Sequence, residues 1–200
     1  MRVFWLRLHR AGPPTGRRCP RDLAGHLLIV RAPRAARLPK RLRMSPHNDT
    51  VVLMIPSTVD IGASWPVLPP GVHKATLDEV KAAFAGDAHR ERLFDGLVRG
   101  CDALRLAGCT ALFLDGSYVT DKPDPGDFDA CWDPHGVDAS TLDPVLLDFD
   151  DARKNQKQKY GGEFFPSPAL ADGTRTFVEF FQVEKETGMQ KGVILIRLDS

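Results

Sequence analysis

The apolar positions of this chain change period several times between residues 76 and 198, and each change predicts an element. Thr76-Leu77-Asp78-Glu79 places a threonine three residues ahead of a glutamate, a capping box. It predicts a short helix through Phe84, stopped near Gly86. A longer helix follows over 88–107, with Leu93, Phe94, Leu97, Val98, Cys101 and Leu104 at helical spacing and Gly108 as its C-terminal cap. That stripe is core packing. The period then shortens to that of strands at 110–114 and 127–132, with one helical turn between them near Tyr118 and Val119. Leu142-Asp143-Pro144 marks a helix start with proline in the first turn. The predicted helix spans 144–158, turns basic at Arg153, Lys154, Lys157 and Lys159, and ends at Gly161-Gly162. Residues 163–165, 176–183 and 192–198 predict three further strands, the last two joined by a turn at 186–188. Upstream, 51–55 reads as an edge strand and 66–71 as an extended, proline-rich lead-in. The pattern describes an α/β (α+β) domain, a mixed sheet of about four or five strands with two or three helices packed on one face. A domain of this size buries roughly 70% of its unfolded surface, enough for an independent core.

Charge divides the chain in two. Residues 1–43 hold eleven Arg and one Lys against one acid, Asp22, and so carry +11. The whole chain carries +1, which leaves −10 on residues 44–200. The basic leader has scattered prolines and no sustained period. It reads as a nucleic-acid arm, as a transit peptide (weakened by the lack of serine in 1–43), or as upstream sequence before a true start at Met44. The last is the preferred reading, giving a leader over 1–43 and a domain over 44–200. The apolar patch at 25–30 is too short for a membrane span, and no other stretch qualifies. Four dispersed cysteines, Cys19, Cys101, Cys109 and Cys131, form no Cys-x-x-Cys pair. They argue against a zinc knuckle or disulfide framework and suit a reducing cytoplasm. His73, in a Pro-Pro-Gly-Val-His turn, reads as structural or substrate-adjacent rather than as a metal ligand.

Chemistry concentrates in two short runs, Leu114-Asp115-Gly116-Ser117 and Asp127-Phe128-Asp129, with nine residues between Ser117 and Asp127. Residues i and i+2 of a strand share a face, so Asp127 and Asp129 project together while Phe128 faces the core. Carboxylates that close raise each other's pKa unless a cation neutralises them, and oxygen-seeking Mg2+ suits them. The Gly116-Ser117 turn supplies close backbone N–H groups and a hydroxyl, which is what a phosphate needs. Lys122 in the same loop is either a phosphate contact or an exposed turn lysine. A structural alternative stands beside this reading: 121–129, with four aspartates, two prolines and a glycine, is a solvated acidic turn or a decayed site. A calcium loop from Asp121 fails, because Pro123 and Pro125 take its third and fifth positions and Trp132 its twelfth.

On these residues the chain resembles the polymerase-beta-like nucleotidyltransferase superfamily. Its pattern is an apolar residue, Gly, Gly or Ser, a spacer, then Asp-apolar-Asp. A closer resemblance, to small uncharacterised bacterial proteins of that type, is carried by Leu68-Pro69-Pro70-Gly71-Val72-His73-Lys74-Ala75-Thr76 and Asp115-Gly116-Ser117-Tyr118-Val119-Thr120-Asp121-Lys122-Pro123, extended by Gly188-Met189-Gln190-Lys191-Gly192-Val193. It covers roughly 66–198. The resemblance implies a nucleotidyltransferase-like sheet and Mg2+ in a two-metal site held by Asp127, Asp129 and a third carboxylate. It implies phosphate contacts from Gly116, Ser117 and Lys122, a nucleoside triphosphate such as ATP as donor, and an RNA end, a protein side chain or a small molecule as acceptor. A non-catalytic or decayed relative that acts as a binding partner in a toxin–antitoxin or defence pair is the alternative. For the third acid the candidates are Glu163 and Glu179, both on predicted strands. Glu163 is preferred: it follows one helix after Asp129, a connection that returns its strand beside the first two acids, and the superfamily places its third acid at about this distance. The usual residue there is Asp.

Overall fold

Alternation within the strands decides how the layers form. The structure is a computed structural model that describes residues 55–199; the leader, the boundary at Met44 and all of the predicted edge strand except Ile55 lie outside the described residues. Five strands, β1 (Gly71–Ala75), β2 (Ala111–Asp115), β3 (Phe128–Trp132), β4 (Gly162–Pro166) and β5 (Gly192–Arg197), form one sheet in the order β1-β5-β2-β3-β4. The sheet is mixed: β1 runs parallel to β5 and β3 to β4, while β2 is antiparallel to both β5 and β3. On one face Leu112, Leu114, Phe128, Ala130, Phe164, Ile194 and Ile196 are buried against α1 (Leu77–Phe84), α2 (Ala88–Leu106) and α3 (Lys154–Tyr160). Phe113, Cys131, Phe165 and Val193 alternate onto the other face, where a one-turn helix, α4 (Phe177–Phe181), packs. The molecule is therefore an α+β fold with helices packed on a mixed five-stranded sheet.

The capping box at Thr76 forms as its sequence predicts, with Thr76 N donating to Glu79 Oε2 at 2.8 Å and Glu79 N to Thr76 Oγ1 at 3.2 Å. Helix α2 starts at Asp87, whose carboxylate accepts from His89 N and Arg90 N at 2.8 and 2.9 Å. It ends at Gly108, whose φ of +90° lets Cys109 N reach back to Leu104 O at 2.9 Å. Two glycines set its distance from the sheet: a β-carbon at Gly96 would lie 1.7 Å from Tyr160 O, and one at Gly100 would lie 2.2 Å from the Phe164 ring. Helix α2 thus rests directly on the C-terminus of α3 and on β4. His73 Nε2 donates to Pro69 O at 2.7 Å, a structural role. Cys101, Cys109 and Cys131 are free and buried.

Three predicted elements differ. Residues 71–75, of which only Gly71 falls in the expected lead-in and the rest have no predicted element, form strand β1. The helix expected over 144–158 is broken into a 3-10 turn at Pro144–Leu147, a left-handed turn at Asp151–Arg153, and α3. Asp148 causes the break. Its carboxylate takes Asp150 N at 3.1 Å and Asn155 Nδ2 at 2.7 Å, and its carbonyl takes Gln156 Nε2 at 3.0 Å, so side chains compete with the helical ladder. The strand expected over 176–183 is helix α4, because Thr176 and Glu179 form a second capping box. Its aromatic, strand-favouring composition yields to packing: helical spacing brings Phe177 and Phe181 onto one side, with Phe177 stacked 4.0 Å from Phe165.

Candidate functional site

The registers align acids from three neighbouring strands. Asp115 at the end of β2 pairs with Asp129 on β3, and Asp129 pairs with Glu163 on β4. All three occupy the face opposite the main helical layer, because Leu114, Phe128, Ala130 and Phe164 take the other face. Asp127 stands two residues before Asp129 and projects the same way. Gly116 closes the turn after β2 with φ +86°, and a β-carbon there would lie 2.6 Å from Asp129 Oδ2 and 2.8 Å from Asp129 N. Only glycine lets that turn lie against Asp129. Ser117 opens the 3-10 turn Ser117–Val119, and its hydroxyl makes no hydrogen bond among the described residues.

Helix α2 anchors the loop between the two motifs. Arg90 is buried and donates to the carbonyls of Phe84, Tyr118, Thr120 and Lys122 at 3.2, 2.8, 2.9 and 2.6 Å. His89 Nε2 donates to Pro125 O at 2.6 Å. A buried guanidinium is costly unless its donors are used, and here four carbonyls use them, so Arg90 determines where the Asp127-Phe128-Asp129 run begins. The sequence reading missed it. The signal available was an arginine three residues ahead of Leu93, on the apolar stripe of α2.

The acids are partly counter-charged from within the chain. Lys157 Nζ lies 2.9 Å from Asp127 Oδ2 and 2.6 Å from Glu163 Oε1. Those two oxygens are therefore no further apart than the two contacts laid end to end. Arg153 Nε stands 2.6 Å from Glu163 Oε2 without an aligned N–H, while its Nη2 donates to Oε1 at 3.3 Å. Lys191 pairs with Asp115. Burial, reinforced by repulsion from Asp115, Asp127 and Glu163 and opposed by Lys191, pushes the Asp129 carboxyl up to about 7. Burial also raises Asp115, against the pull of Lys191. Lys157 is raised by its hydrogen bond to Glu163 and then by that to Asp127.

Of the residues the sequence singled out, Gly116, Ser117, Asp127, Asp129 and Glu163 are brought together. For Lys122 the bonds fix the backbone: its carbonyl accepts from Arg90 and its N–H donates to Thr120 Oγ1, while among the described residues its side chain forms no ion pair with the four carboxylates. Glu179 is exposed and belongs to the α4 capping box, where Thr176 N donates to it at 2.8 Å. Asp115, Arg153, Lys157 and Lys191 join the cluster. Asp115 is legible as the strand residue beside Gly116, whereas the three cations come together only through the fold.

All four acids offer hard oxygen donors, the chemistry that suits Mg2+ rather than zinc or copper. Among the described residues no three His, Cys, Asp or Glu side chains are grouped so as to hold a metal ion as they stand. The Lys157 ammonium lies where Asp127 and Glu163 converge, which marks that point as one that attracts a cation. No helix among the described residues is long and apolar enough to cross a membrane. No curated protein and no solved structure matches the chain. A family model described as a family of unknown function matches residues 61–197, a span that takes in every strand from β1 to β5. The chain belongs to that family, DUF6932.

Proposed function

We propose that this protein is a Mg2+-dependent nucleotidyltransferase that transfers a nucleoside monophosphate from a triphosphate to an acceptor hydroxyl, the acceptor oxygen replacing pyrophosphate at the α-phosphorus. One observation carries the reading: the Gly116 turn rests against Asp129, and Asp129 lies in register with Glu163. A glycine turn that would suit a phosphate thus lies beside acids of neighbouring strands at one end of the sheet. Asp127, Asp129 and Glu163 would hold the metal ions. Bound there, divalent cations would supply charge neutralisation at the phosphates and a more acidic attacking hydroxyl. The chain's own part is to position. The open Ser117 hydroxyl and the backbone around Gly116 face phosphate oxygens, and Arg90 keeps the intervening loop from shifting.

A second reading rests on the internal cations. Lys157, Arg153 and Lys191 neutralise much of the cluster, as they would in a relative that has lost turnover and acts as a binding partner. Incubation with labelled ATP, CTP, GTP and UTP plus Mg2+, with RNA and protein fractions as acceptors, separates the two. The expected result is Mg2+-dependent label transfer, abolished by Asp129→Asn, which unfolds at or above the wild-type temperature, and by Glu163→Gln, which loses its pairs with Arg153 and Lys157. Absence of transfer from all four nucleotides, with no thermal shift by nucleotide and Mg2+, favours the binding partner.

A further inference from the structure

Two ion pairs at the acid cluster differ in how they are held. Asp115 is buried and Lys191 nearly so, with side chains only 7% and 11% exposed. That pair is sealed. Lys157 is 41% exposed while its partner Glu163 is 9% exposed, so the ammonium reaches in from solvent onto a buried carboxylate. Lys157 can return to water without desolvation, whereas Glu163 cannot leave. The backbone beneath Lys157 is fixed. Gln156 is fully buried, donating to Asp148 O at 3.0 Å and accepting from Phe164 N at 2.7 Å. Arg153, just before α3, is held by Glu163 and lies 5.3 Å over the Phe165 ring. Any movement of the Lys157 charge is therefore a movement of its side chain alone.

We propose that Lys157 is a displaceable counter-ion of the acid cluster. In the metal-free protein it neutralises Asp127 and Glu163. When a divalent cation occupies their oxygens, the ammonium is released on its anchored helix and takes a phosphate group of the incoming polyphosphate, while Lys191 remains on Asp115. The proposal rests on the nucleotidyltransferase reading and adds the origin of one phosphate contact, which the sequence had looked for at Lys122. It has a signature that a fixed structural ion pair lacks. Removing the Lys157 charge strengthens the binding of metal alone and weakens the binding of polyphosphate in the presence of metal.

The test uses the full chain and two probes, Mn2+ alone by electron paramagnetic resonance and inorganic triphosphate with saturating Mn2+ by calorimetry. Lys157→Met, with Lys157→Gln as a second variant, is expected to bind Mn2+ at least about fivefold tighter than wild type. That is the least expected on removing one unit charge a few ångströms away in a water-like dielectric. Triphosphate is expected to bind about fivefold weaker to the same variants. Lys154→Met, which removes an exposed charge on the same helix paired among the described residues only with Asp151 at 3.9 Å, is expected to change neither by more than about twofold. Equal Mn2+ affinity in wild type and Lys157→Met, with binding still lost in Asp127→Asn, overturns the counter-ion proposal and leaves the metal site standing. Tighter Mn2+ binding without weaker triphosphate binding overturns it as well, as does an equal response in Lys154→Met. Failure of every variant and of the wild type to bind Mn2+ overturns the metal site itself, and the proposal with it.

Discussion

At Asp129 a half-buried carboxyl sits beside three others, and the sign of its pKa shift makes a direct prediction. Its folded value, about 7, lies above the ordinary aspartate value of 3.8. The folded protein therefore holds that proton more tightly than the unfolded chain does. The cost to stability is absent below the ordinary value, grows as pH rises between the two, and is fully present above about 7. In metal-free protein, Asp129→Asn is expected to raise the melting temperature at pH 8, with the difference vanishing toward pH 4. The same upward offset at both pH values in thermal melts would trace the gain to packing instead. Gly116 belongs to the same argument, since it permits the approach that crowds Asp129.

Among the elements, the segment between β3 and β4 departs furthest from regular structure. Asp151, Ala152 and Arg153 take φ of 46°, 53° and 59°, three successive residues other than glycine in the left-handed region. Such a conformation costs roughly 1–2 kcal/mol per residue and is retained only where surrounding contacts impose it. Here the pair of Arg153 with Glu163 and the bonds around Asp148 impose it. Ala152 is exposed, so Ala152→Gly is expected to stabilise the fold by about 0.5–1 kcal/mol, the left-handed penalty less the added chain entropy of glycine. Denaturant midpoints measure this. A loss of stability on that substitution would show that residue 152 is not left-handed in solution. Helix α4 carries the complementary lesson: the Thr-x-x-Glu signature read correctly at Thr76 recurs at Thr176, and there it outweighs an aromatic run that favours a strand.

Across the whole molecule, α2 ties the core to the site. One flank seats on α3 and β4 through Gly96 and Gly100, and its first turn clamps the loop ahead of Asp127 through Arg90 and His89. A methyl group at Gly96 meets a backbone carbonyl that has no freedom to turn aside. Gly96→Ala is expected to cost at least about 1–3 kcal/mol and to loosen the position of Lys157 and Glu163, which α3 and β4 carry. Gly86→Ala, where a β-carbon would meet nothing within 4 Å, is expected to change stability by no more than about 0.5 kcal/mol. Urea unfolding of the two variants makes the comparison. Equal stability would mean that α2 stands further from α3 than the structure places it.

Period and capping chemistry are local properties, and the sequence by itself determined what depends on them: helices α1 and α2, the Gly108 cap, strands β2 to β5 and the shared face of Asp127 and Asp129. Glu163 was legible for a related reason, because a strand one crossover away commonly returns beside its predecessor. Lys157 and Arg153 were visible only as a basic helix end, and Lys191 only as part of a motif. Asp127 and Asp115 lie far off in sequence from Lys157 and Lys191, and Glu163 meets Arg153 and Lys157 only because the turn after α3 brings β4 back beside that helix. The breaking of 144–158 and the helix within 176–183 have local causes, the Asp148 side chain and the Thr176–Glu179 capping box, which the apolar period does not carry. Burial of Asp115 and the gathering of the cations were decided by tertiary structure alone. They depend on what lies across the sheet, and a one-dimensional pattern of apolar and polar positions carries no term for a neighbour that the chain brings back from a distance.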